Sequence, residues 1–457
     1  MSIQTLNPVT GMVLETYPVF TQSAIEQHIE SAHQQFQAWK TVDIKERATL
    51  MMRLAALLRS NSDGYAILMA QEMGKPVTSG KAEIEKCALV CEHYATHAES
   101  YLKPQHVPTE HYVSKVCFQP LGVIFAVMPW NFPFWQVFRF AAPNIMAGNI
   151  ALLKHAPIST GTGFAIERAF EEAGFPKRVF SHMVLTNEQT ATVIAHPHVM
   201  GVTFTGSEQT GKILAACAGS YLKKVVMELG GNDPYVVLHD ADLDLAAQVI
   251  VASRLNNNGQ TCIAAKRTIV VSAVADALIE KIIAITKTYH YGDPLDANTQ
   301  LGPMARDDLR TRVHQQVLES IAKGAILRLG GTMPEERGFY YPPTVLTAVH
   351  PGMPAFDDEI FGPVLAIIIA TDEADAIHLA NDSRFGLGSA VFTRDLVRGE
   401  RIATLDLNAG QASVNKAVVS EPGLPFGGIK HSGYGRELSQ EGIREFMNVK
   451  TVVVNGA

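Results

Sequence analysis

A single cysteine ends a polar stretch of the chain and is the first candidate for a reactive group. The stretch NNNGQTC runs from Asn256 to Cys262, and Gly259 allows a tight backbone turn before the thiol. A free thiol titrates near about 8.5, so a nucleophilic cysteine needs help to ionise, and a donor for the oxyanion formed on a carbonyl. A cysteine that begins a helix after a loop can supply this donor from its own N–H. The alternative is a buried thiol that only packs at a loop-to-helix junction.

Two further side chains have the right chemistry to assist such a thiol. Glu228, in MELGGNDP, lies between apolar residues and a glycine pair, where partial burial raises a carboxyl pKa towards that of a useful base. Asn131, in MPWNFPFWQ, follows a predicted strand and can donate an uncharged N–H to an oxyanion. Taken alone, a capping or salt-bridged glutamate and a turn asparagine are the simpler explanations.

The stretch FTGSEQTGK indicates a phosphate site of an unusual kind. Gly206, Gly211 and Lys212 have the spacing of a phosphate-binding loop, but Ile213 stands where the triphosphatase motif needs Ser or Thr for magnesium. A turn that leads into a helix can still hold phosphate through its backbone and the Ser207 hydroxyl. This favours a dinucleotide, and the absence of GxGxxG here means that its site is not of the usual kind.

Composition excludes several classes of protein. A chain of 457 residues predicts two or three domains, and 47% hydrophobic with 18% charged residues is typical of a well-buried globular protein. The formal net charge of −7 argues against a nucleic-acid surface, which needs a basic face. No apolar run reaches the roughly 18 residues of a membrane span, and MSIQTLNPVTGMV lacks the pattern of a signal peptide.

The five cysteines are too sparse for a disulfide scaffold and indicate a reducing compartment, so a cytoplasmic location is expected. Cys87 and Cys91 lie four apart on a predicted helix with His93 nearby. No second ligand pair at zinc-site spacing accompanies them, so we expect no metal and interpret both cysteines as buried apolar residues.

The elements that must position these residues change character along the chain. The first hundred residues show apolar positions at three- and four-residue spacing and predict helices. From PLGVIFAVMPWNFPF onward, short apolar runs alternate with helical stretches, which predicts βαβ units and a parallel sheet. A second alternating region follows MELGGND and continues past residue 400. The final KTVVVNGA predicts a strand that needs a partner.

Seven motifs then occur in one order: PWNFP, LLKHAP, FTGSEQTG, MELGGNDP, NNNGQTC, EIFGPV and PFGGIKHSGYGRE. Together they resemble the aldehyde dehydrogenase superfamily over nearly the whole chain. The resemblance implies that Cys262 is the nucleophile and Glu228 the general base, with Asn131 and the Cys262 N–H forming an oxyanion hole. Cys262 would attack an aldehyde, hydride would leave to a nicotinamide, and the thioester would be hydrolysed. The stretch 256–260 would be a mobile, polar approach to the thiolate.

The resemblance also assigns the binding residues. Lys154 and Glu359 would hold the cofactor riboses, Ser207 the pyrophosphate, and Phe361 would flank the nicotinamide. The whole predicted cofactor set is Trp130, Lys154, His155, Ala156, Pro157, Gly206, Ser207, Leu229, Glu359 and Phe361. The predicted substrate set is Trp135, Arg139, Asn256 and Phe426.

The family fold implies two doubly wound α/β domains, one Rossmann-like for the cofactor and one catalytic, plus a small β extension that pairs between subunits. The cofactor-binding domain is expected to comprise residues 1–105 and 120–229, and the catalytic domain residues 230–435. The oligomerisation extension would comprise 106–119 and 436–457, with HYVSKVCFQP and KTVVVNGA as its strands. A homodimer or homotetramer is the implied assembly.

Cofactor choice depends on the segment KHAP. Family members that use NAD often carry a glutamate three residues after the lysine matching Lys154, and Pro157 stands there instead. That departure weakens the prediction of strict NAD specificity, and Lys154 with His155 could attract a 2′-phosphate. We still expect NAD as the cofactor, with NADP possible.

Among the subfamilies, the chain resembles the bacterial succinate-semialdehyde dehydrogenases. They carry an arginine eight residues after the motif asparagine, and Arg139 occupies that place, where a guanidinium suits a distal carboxylate. The alternative is an arginine paired with a structural carboxylate. A second arginine found in some of these enzymes is replaced by Asn256, and Arg254 is out of register.

Three other functions stay open at this level. An aldehyde dehydrogenase for apolar or aromatic aldehydes is favoured by the aromatic residues Trp130, Phe132, Phe134 and Trp135. An enzyme that passes its acyl group to coenzyme A is disfavoured by Glu228, which some such relatives lack. A non-enzymatic binding protein is disfavoured because both Cys262 and Glu228 are present.

Overall fold

The computed structural model describes residues 1–456. Its strands are β1 (Ser2–Leu6), β2 (Val13–Pro18), β3 (Gln105–His106), β4 (Val113–Pro120), β5 (Val123–Met128), β6 (Ile150–His155), β7 (Phe180–His182), β8 (Val199–Thr205), β9 (Lys224–Glu228), β10 (Pro234–Val237), β11 (Arg267–Val271), β12 (Ile326–Leu329), β13 (Thr344–Thr347), β14 (Val364–Ala370), β15 (Gly388–Phe392), β16 (Gln411–Val414), β17 (Gly433–Tyr434) and β18 (Met447–Val454).

Its helices are α1 (Gln22–Trp39), α2 (Ile44–Ser60), α3 (Ser62–Met73), α4 (Val77–Tyr101), α5 (Trp135–Ala147), α6 (Thr160–Glu172), α7 (Asn187–Ala195), α8 (Glu208–Ser220), α9 (Leu243–Leu255), α10 (Ala275–Thr286), α11 (Asp307–Ala322), α12 (Pro354–Asp357), α13 (Glu373–Asn381), α14 (Leu396–Arg401) and α15 (Ser439–Glu445). Within residues 1–456, no helix combines the length and the apolar character needed to cross a bilayer.

A six-stranded sheet carries the motifs PWNFP, LLKHAP, FTGSEQTG and MELGGNDP at the ends of its strands. Its order is β17-β9-β8-β5-β6-β7, and only β17 runs antiparallel to its neighbour. The central strand VIFAVM is buried throughout, which explains its continuous apolar sequence, because helices cover both faces of a parallel sheet. Asn131, Ala156 and Ser207 each follow the carboxyl end of a strand, and Glu228 is the last residue of β9. Ligands of open α/β sheets bind at this edge.

A seven-stranded sheet carries the motifs NNNGQTC and EIFGPV, which lead into its strands β11 and β14. Its order is β12-β13-β14-β11-β10-β15-β16, and it is parallel except for the β12–β13 pair. The chain passes from the first sheet to the second between Glu228 and Pro234, at the glycine pair of MELGGND. Cys262 lies in the connection from α9 to β11. The predicted α/β class with two parallel-sheet regions is confirmed.

A three-stranded sheet, β18-β4-β3, stands apart from both. β18 pairs antiparallel with the whole of β4, from Met447 opposite Pro120 to Val454 opposite Val113, so the C-terminal strand has its partner within the chain. β18 remains an edge strand here, and Val449 and Val453 are exposed on it.

The domain limits stay a proposal, and two short segments depart from them in sheet membership. Gly433–Tyr434 falls in the range 230–435 but pairs with β9 of the six-stranded sheet. Helix α15 falls in the range 436–457 but packs against α4 and α5 rather than on the three-stranded sheet.

Candidate active site

Cys262 lies between two cavities and contributes to the wall of both. The first, called here the large cavity, has a volume of about 710 Å³ and is lined by α4, α5, the end of α9 and residues 415–420. The second, called here the cleft, has a volume of about 470 Å³ and opens at the carboxyl edge of the six-stranded sheet. A side chain shared by two cavities can meet a different ligand from each side.

The large cavity brings together all four residues of the predicted substrate set. They are Trp135, Arg139, Asn256 and Phe426. The cleft brings together Asn131 and six residues of the predicted cofactor set, which are Trp130, Gly206, Ser207, Leu229, Glu359 and Phe361. Lys154, His155, Ala156 and Pro157 lie outside its lining, at the end of β6.

The asparagine stretch before Cys262 is buried from Asn257 to Gln260, and Asn256 is exposed, so it is less open than the expected polar approach. Asn257, Asn258 and Gly259 have φ values of 53°, 58° and 74°, a left-handed backbone that asparagine and glycine adopt most easily. The Asn257 side chain donates to the Asn131 carbonyl (2.7 Å). The Asn258 side chain donates to the carbonyls of Gly74 and Pro303 (3.0 Å each). These amides replace the backbone partners that a left-handed loop cannot provide.

Arg254 fixes this loop to the segment that follows Glu359. Its buried guanidinium donates to the carbonyls of Gly259 (3.1 Å), Ile360 (2.6 Å) and Val364 (2.5 Å). Gly259 also packs so closely on Gly362 that an added Cβ would lie 2.3 Å from its carbonyl carbon. A glycine is therefore required at 259 for two reasons, the positive φ and the close approach.

The thiol itself is half-buried and protonated at rest. Burial raises the pKa of Cys262 to about 11, and the cations Lys266 and Arg139 oppose this only in part. Cys262 lies in a turn before β11 and does not begin a helix, which corrects that expectation. Its N–H has no hydrogen-bond partner within residues 1–456 and is free to face a ligand.

Asn131 is tied directly to the cysteine loop. It is buried, and its side-chain nitrogen donates to the Gln260 carbonyl (3.0 Å). An amide nitrogen carries two hydrogens, so one stays available for an oxyanion. The distance from Asn131 to the thiol is thereby set by the same loop that carries Cys262.

Glu228 faces away from both cavities in this conformation. Its carboxyl is buried, and Oε1 has no hydrogen-bond partner among the described residues. An added Cβ on Gly427 would lie 2.8 Å from this oxygen, so the side chain points towards that turn. Burial raises the pKa of Glu228 well above its ordinary range, while Arg139 lowers it. Glu228 lines neither cavity, so reaching Cys262 requires a change of rotamer.

Arg139 is already paired. Its Nε forms a close ion pair with Glu437, both side chains are buried, and the guanidinium lies 4.4 Å from the centre of the Phe426 ring. Burial raises the pKa of Glu437 and Arg139 opposes that rise. This is the arrangement of the alternative interpretation, in which the arginine serves a structural carboxylate, although Arg139 also lines the large cavity.

The cleft offers the groups that a dinucleotide needs. Ser207 caps the N-terminus of α8, whose first-turn amides and dipole suit a phosphate. Glu359 is held in place by the Gly231 N–H (3.2 Å) and by an ion pair with Lys266 (3.1 Å). The Trp130 and Phe361 rings meet edge-to-face, with centroids 5.9 Å apart, at the wall of the cleft. A pyrophosphate, a ribose and an aromatic ring each find a complementary group.

His155, the last residue of β6, does not match the expectation that it could attract a 2′-phosphate together with Lys154. Its Nε2 donates to the Pro133 carbonyl (2.9 Å), and its Nδ1 accepts from the Ala156 N–H (2.8 Å). Burial lowers the pKa of His155 to about 4, so the ring is neutral and both nitrogens are occupied. His155 therefore cannot attract a phosphate, while buried Lys154, with only a 3.4 Å contact to Asn187, keeps a free ammonium.

Comparisons with known proteins decide the family. Residues 1–452 match the model of the aldehyde dehydrogenase family. The chain belongs to the aldehyde dehydrogenase family.

Similar proteins carry related names. The probable succinate-semialdehyde dehydrogenase [NADP(+)] of Synechocystis sp. is 43% identical over 452 residues, which is 99% of each chain. The succinate semialdehyde dehydrogenase [NAD(P)+] Sad of Escherichia coli is 43% identical over 98% of this chain and 96% of its own. The crystal structure of the Streptococcus pyogenes succinic semialdehyde dehydrogenase with NADP+ superposes with a TM-score of 0.97 at 36% identity, covering 99% of this chain and 100% of the other.

Two residues of this aldehyde dehydrogenase site carried no sequence signal. Lys86 of α4 and Ser420 both line the large cavity. The Lys86 Nζ donates to the Ser420 Oγ (2.7 Å), which also accepts from the Trp135 Nε1 (3.1 Å). Lys86 lies in an ordinary amphipathic helix and Ser420 outside every recognised motif, so only the fold brings them together.

Proposed function

We propose that this enzyme oxidises succinate semialdehyde to succinate, with NAD or NADP as the hydride acceptor. One observation carries the proposal: Cys262 joins a cavity lined by three cationic side chains, Lys86, Arg139 and Lys416, to a cleft suited to a dinucleotide. A cationic cavity of this kind suits an aldehyde that carries a carboxylate. The names of the similar proteins support both the substrate and the cofactor.

The catalytic roles are proposed from the same geometry. The Cys262 thiol loses its proton to solvent, and the thiolate sulfur bonds to the aldehyde carbon as the C=O π bond breaks. The Cys262 N–H and the Asn131 amide stabilise the resulting oxyanion. When bound, the nicotinamide cofactor accepts the hydride that leaves this carbon. The carbon is thereby oxidised to a thioester on Cys262, and the net reaction to the carboxylate also consumes one water and releases two protons.

Deacylation requires a base, and Glu228 is the proposed one. Rotation of its side chain away from Gly427 would bring the carboxylate to a water beside the thioester. The water loses a proton to Glu228, its oxygen bonds to the acyl carbon, and the carbon–sulfur bond breaks. The proton on Glu228 then passes to the departing sulfur, so the acid and the thiol are released. The raised pKa of the buried Glu228 carboxyl makes it a stronger base once it has ionised.

The cofactor would be held mainly by groups that line the cleft. The α8 N-terminus with Ser207 would take the pyrophosphate, Glu359 and Lys154 the riboses, and Trp130 and Phe361 the nicotinamide side. Gly206 lets the backbone approach closely, and Leu229 forms part of the apolar wall. Ala156 and Pro157 would lie beside the adenosine ribose, and His155 would only support them.

A substrate panel tests the proposal. The purified enzyme is mixed with succinate semialdehyde, butanal or benzaldehyde, and formation of NADH or NADPH is followed by absorbance. We expect kcat/KM for succinate semialdehyde to exceed that for butanal at least tenfold. Comparable values, or a preference for benzaldehyde, would favour the second candidate, a broad aldehyde dehydrogenase, which the Phe132 and Trp135 rings on the cavity wall support.

We also propose a cytoplasmic homo-oligomer. Five free cysteines suit a reducing compartment. The exposed edge of β18 offers unpaired backbone groups that a second subunit can cover, giving a dimer or tetramer. Light scattering on the purified chain tests this, and a monomer at micromolar concentration would contradict it.

A further inference from the structure

The short connection between α3 and α4 is fixed to the loop that carries the nucleophile. Gly74 ends α3 with a left-handed φ of 76°, and Pro76 directly precedes the first residue of α4. The Gly74 carbonyl accepts a hydrogen bond from the Asn258 side chain (3.0 Å). An added Cβ on Gly74 would lie 2.7 Å from the Pro303 carbonyl oxygen, so the packing here is tight. Lys75, between the glycine and the proline, therefore starts from a fixed backbone position.

Lys75 and Glu83 form a buried ion pair that lies outside the linings of both cavities. Their exposed fractions are 0% and 4%, and the ammonium contacts the Oε2 oxygen of Glu83. The same ammonium lies over the Phe132 ring, 4.0 Å from its centre, next to Asn131 in the chain. Burial lowers the pKa of Lys75, and Glu83 opposes this. Because a buried ion pair is a weak source of stability, its role is better sought in the segments that it contacts.

Glu83 completes the N-terminus of α5, the helix that follows Asn131. Its Oε1 oxygen accepts from the Phe134 N–H and the Trp135 N–H (2.9 Å each). Phe134 cannot supply a side-chain cap, and the first turn of α5 has no acidic residue, so a carboxylate from α4 takes that place. On its other side, the Asn131 carbonyl accepts from the Asn257 side chain (2.7 Å). The turn that carries Asn131 is thus held by Glu83 and by the cysteine loop.

We propose that Lys75 and Glu83 are positioning residues for Asn131, the donor assigned to the oxyanion. Both lie outside the two cavities, so they act through the N-terminus of α5, which sets where the Asn131 amide points relative to the Cys262 N–H. The inference rests on the proposed function, since it assumes that Asn131 stabilises an oxyanion. Such a donor must be placed closely, because misplacement by about 1 Å can cost about a hundredfold in rate.

The first test removes the charge of Glu83. In Glu83→Gln an amide NH₂ group faces the Lys75 ammonium and is repelled by it, so the start of α5 shifts. We expect kcat/KM for the aldehyde at saturating cofactor to fall about tenfold, which is part of the loss of about 10²–10³ that removal of a whole oxyanion donor causes. The cofactor Kd should stay within about twofold of wild type.

The reactivity of the thiol gives a readout that does not involve the oxyanion. Alkylation of Cys262 by iodoacetamide needs the thiol but forms no oxyanion, and mass spectrometry of the peptide that contains Cys262 measures its rate. In Glu83→Gln this rate should stay within about twofold of wild type, because Gly74 and Asn258 hold the cysteine loop independently. A fall as large as that in kcat/KM would mean that the nucleophile has moved, and would overturn the inference.

A double-mutant cycle with Asn131→Ala separates positioning from general damage. If Glu83 acts through Asn131, the effect of Glu83→Gln should fall below about twofold once Asn131→Ala has removed the donor. Equal effects of Glu83→Gln in both backgrounds would overturn the inference. So would an unchanged kcat/KM in the single variant Glu83→Gln.

Glu72→Gln is the matched control, because Glu72 makes the same kind of contact at another helix. It is buried and accepts from the Gly161 N–H (2.8 Å) and the Thr162 N–H (3.1 Å) at the start of α6. This variant should keep kcat/KM for the aldehyde within about twofold of wild type. A loss equal to that of Glu83→Gln would overturn the inference. If Glu83→Gln does not fold, Lys75→Met/Glu83→Gln replaces it with the same expected coupling to the donor, because it leaves no unpaired buried charge.

The proposed function fails separately, since it is judged on the wild type. The cycle can be measured with succinate semialdehyde or butanal, whichever the wild type oxidises, so a wrong substrate assignment leaves this test intact. If the wild type oxidises no aldehyde, the proposed chemistry is wrong before any variant is compared, and the inference falls with it.

Discussion

The two sides of Cys262 recognise ligands by different means. The cleft is built around turns at the carboxyl ends of β5, β8 and β9, and it includes the backbone amides at the N-terminus of α8. The large cavity is lined by side chains from α4, α5 and residues 415–420, and the buried charge of Arg139 lies on its wall. Backbone recognition depends on local turns and leaves a motif in the sequence. Side-chain recognition depends on distant segments meeting and leaves almost none.

The largest effect should come from the residue that the two sides share. Cys262→Ala removes the nucleophile, so dehydrogenase activity should fall to background. The cleft keeps its amides and aromatic rings, so the cofactor should still bind with an affinity within about threefold of wild type. Steady-state assays and fluorescence titration measure the two quantities. Normal turnover would contradict the proposed chemistry, and loss of both would mean that the two sides are not separable.

Glu228→Gln should separate the two half-reactions. Hydride transfer does not need a base but deacylation does, so a burst of about one NADH per site should precede turnover slowed by about 10²–10⁴. Stopped-flow absorbance measures the burst. Glu228→Asp serves as the control, with partial activity expected. An unchanged kcat would remove Glu228 as the base.

Arg139→Leu sharpens the comparison within the large cavity. Removing the partner of buried Glu437 should lower the free energy of unfolding by about 3 kcal/mol, the low end for a broken buried pair, because Glu437 can take up a proton. Since the pair lies beside Glu228, both succinate semialdehyde and butanal should lose activity to a similar extent. Urea denaturation and parallel kinetics measure these effects. A loss confined to succinate semialdehyde, with unchanged stability, would return Arg139 to the role of carboxylate anchor.

The smallest effect is expected beside the cleft. Pro157 is exposed at the turn after β6, so a carboxylate there would meet a 2′-phosphate without disturbing the core. Pro157→Glu should raise KM for NADP about tenfold and KM for NAD less than threefold. Pro157→Gln is the neutral control. Equal changes for both cofactors would assign selectivity to other residues.

The sequence predicted the fold well because apolar patterns are local. The runs GVIFAVM, NIALLKH and HVMGVTFTG each became a buried strand, and GTGFAIERAFEEAG became the helix α6 between two of them. The seven motifs placed the family correctly, as the whole-chain match confirms. The two segments assigned to the β extension both became strands, β4 and β18, which pair with each other within the chain.

The errors arose where burial decides chemistry. A run of asparagines looks exposed, but Asn257 and Asn258 are buried because their amides satisfy backbone carbonyls that no sequence pattern displays. His155 looks cationic beside Lys154, yet burial neutralises it. Lys86 and Ser420 lie 334 positions apart and meet only through the packing of α4 near residues 415–420. Sequence patterns report which groups are present but not the dielectric around them.

Arg254 has a consequence for how such an enzyme can diversify. Its guanidinium donates hydrogen bonds to the carbonyls of Gly259, Ile360 and Val364. These bonds hold the loop that carries Cys262 and the segment after Glu359 together as one rigid unit. The wall formed by α4 and residues 415–420 lies outside that unit. Substitutions in that wall can therefore change which aldehyde is selected. They leave the position of the thiol relative to the bound cofactor unchanged.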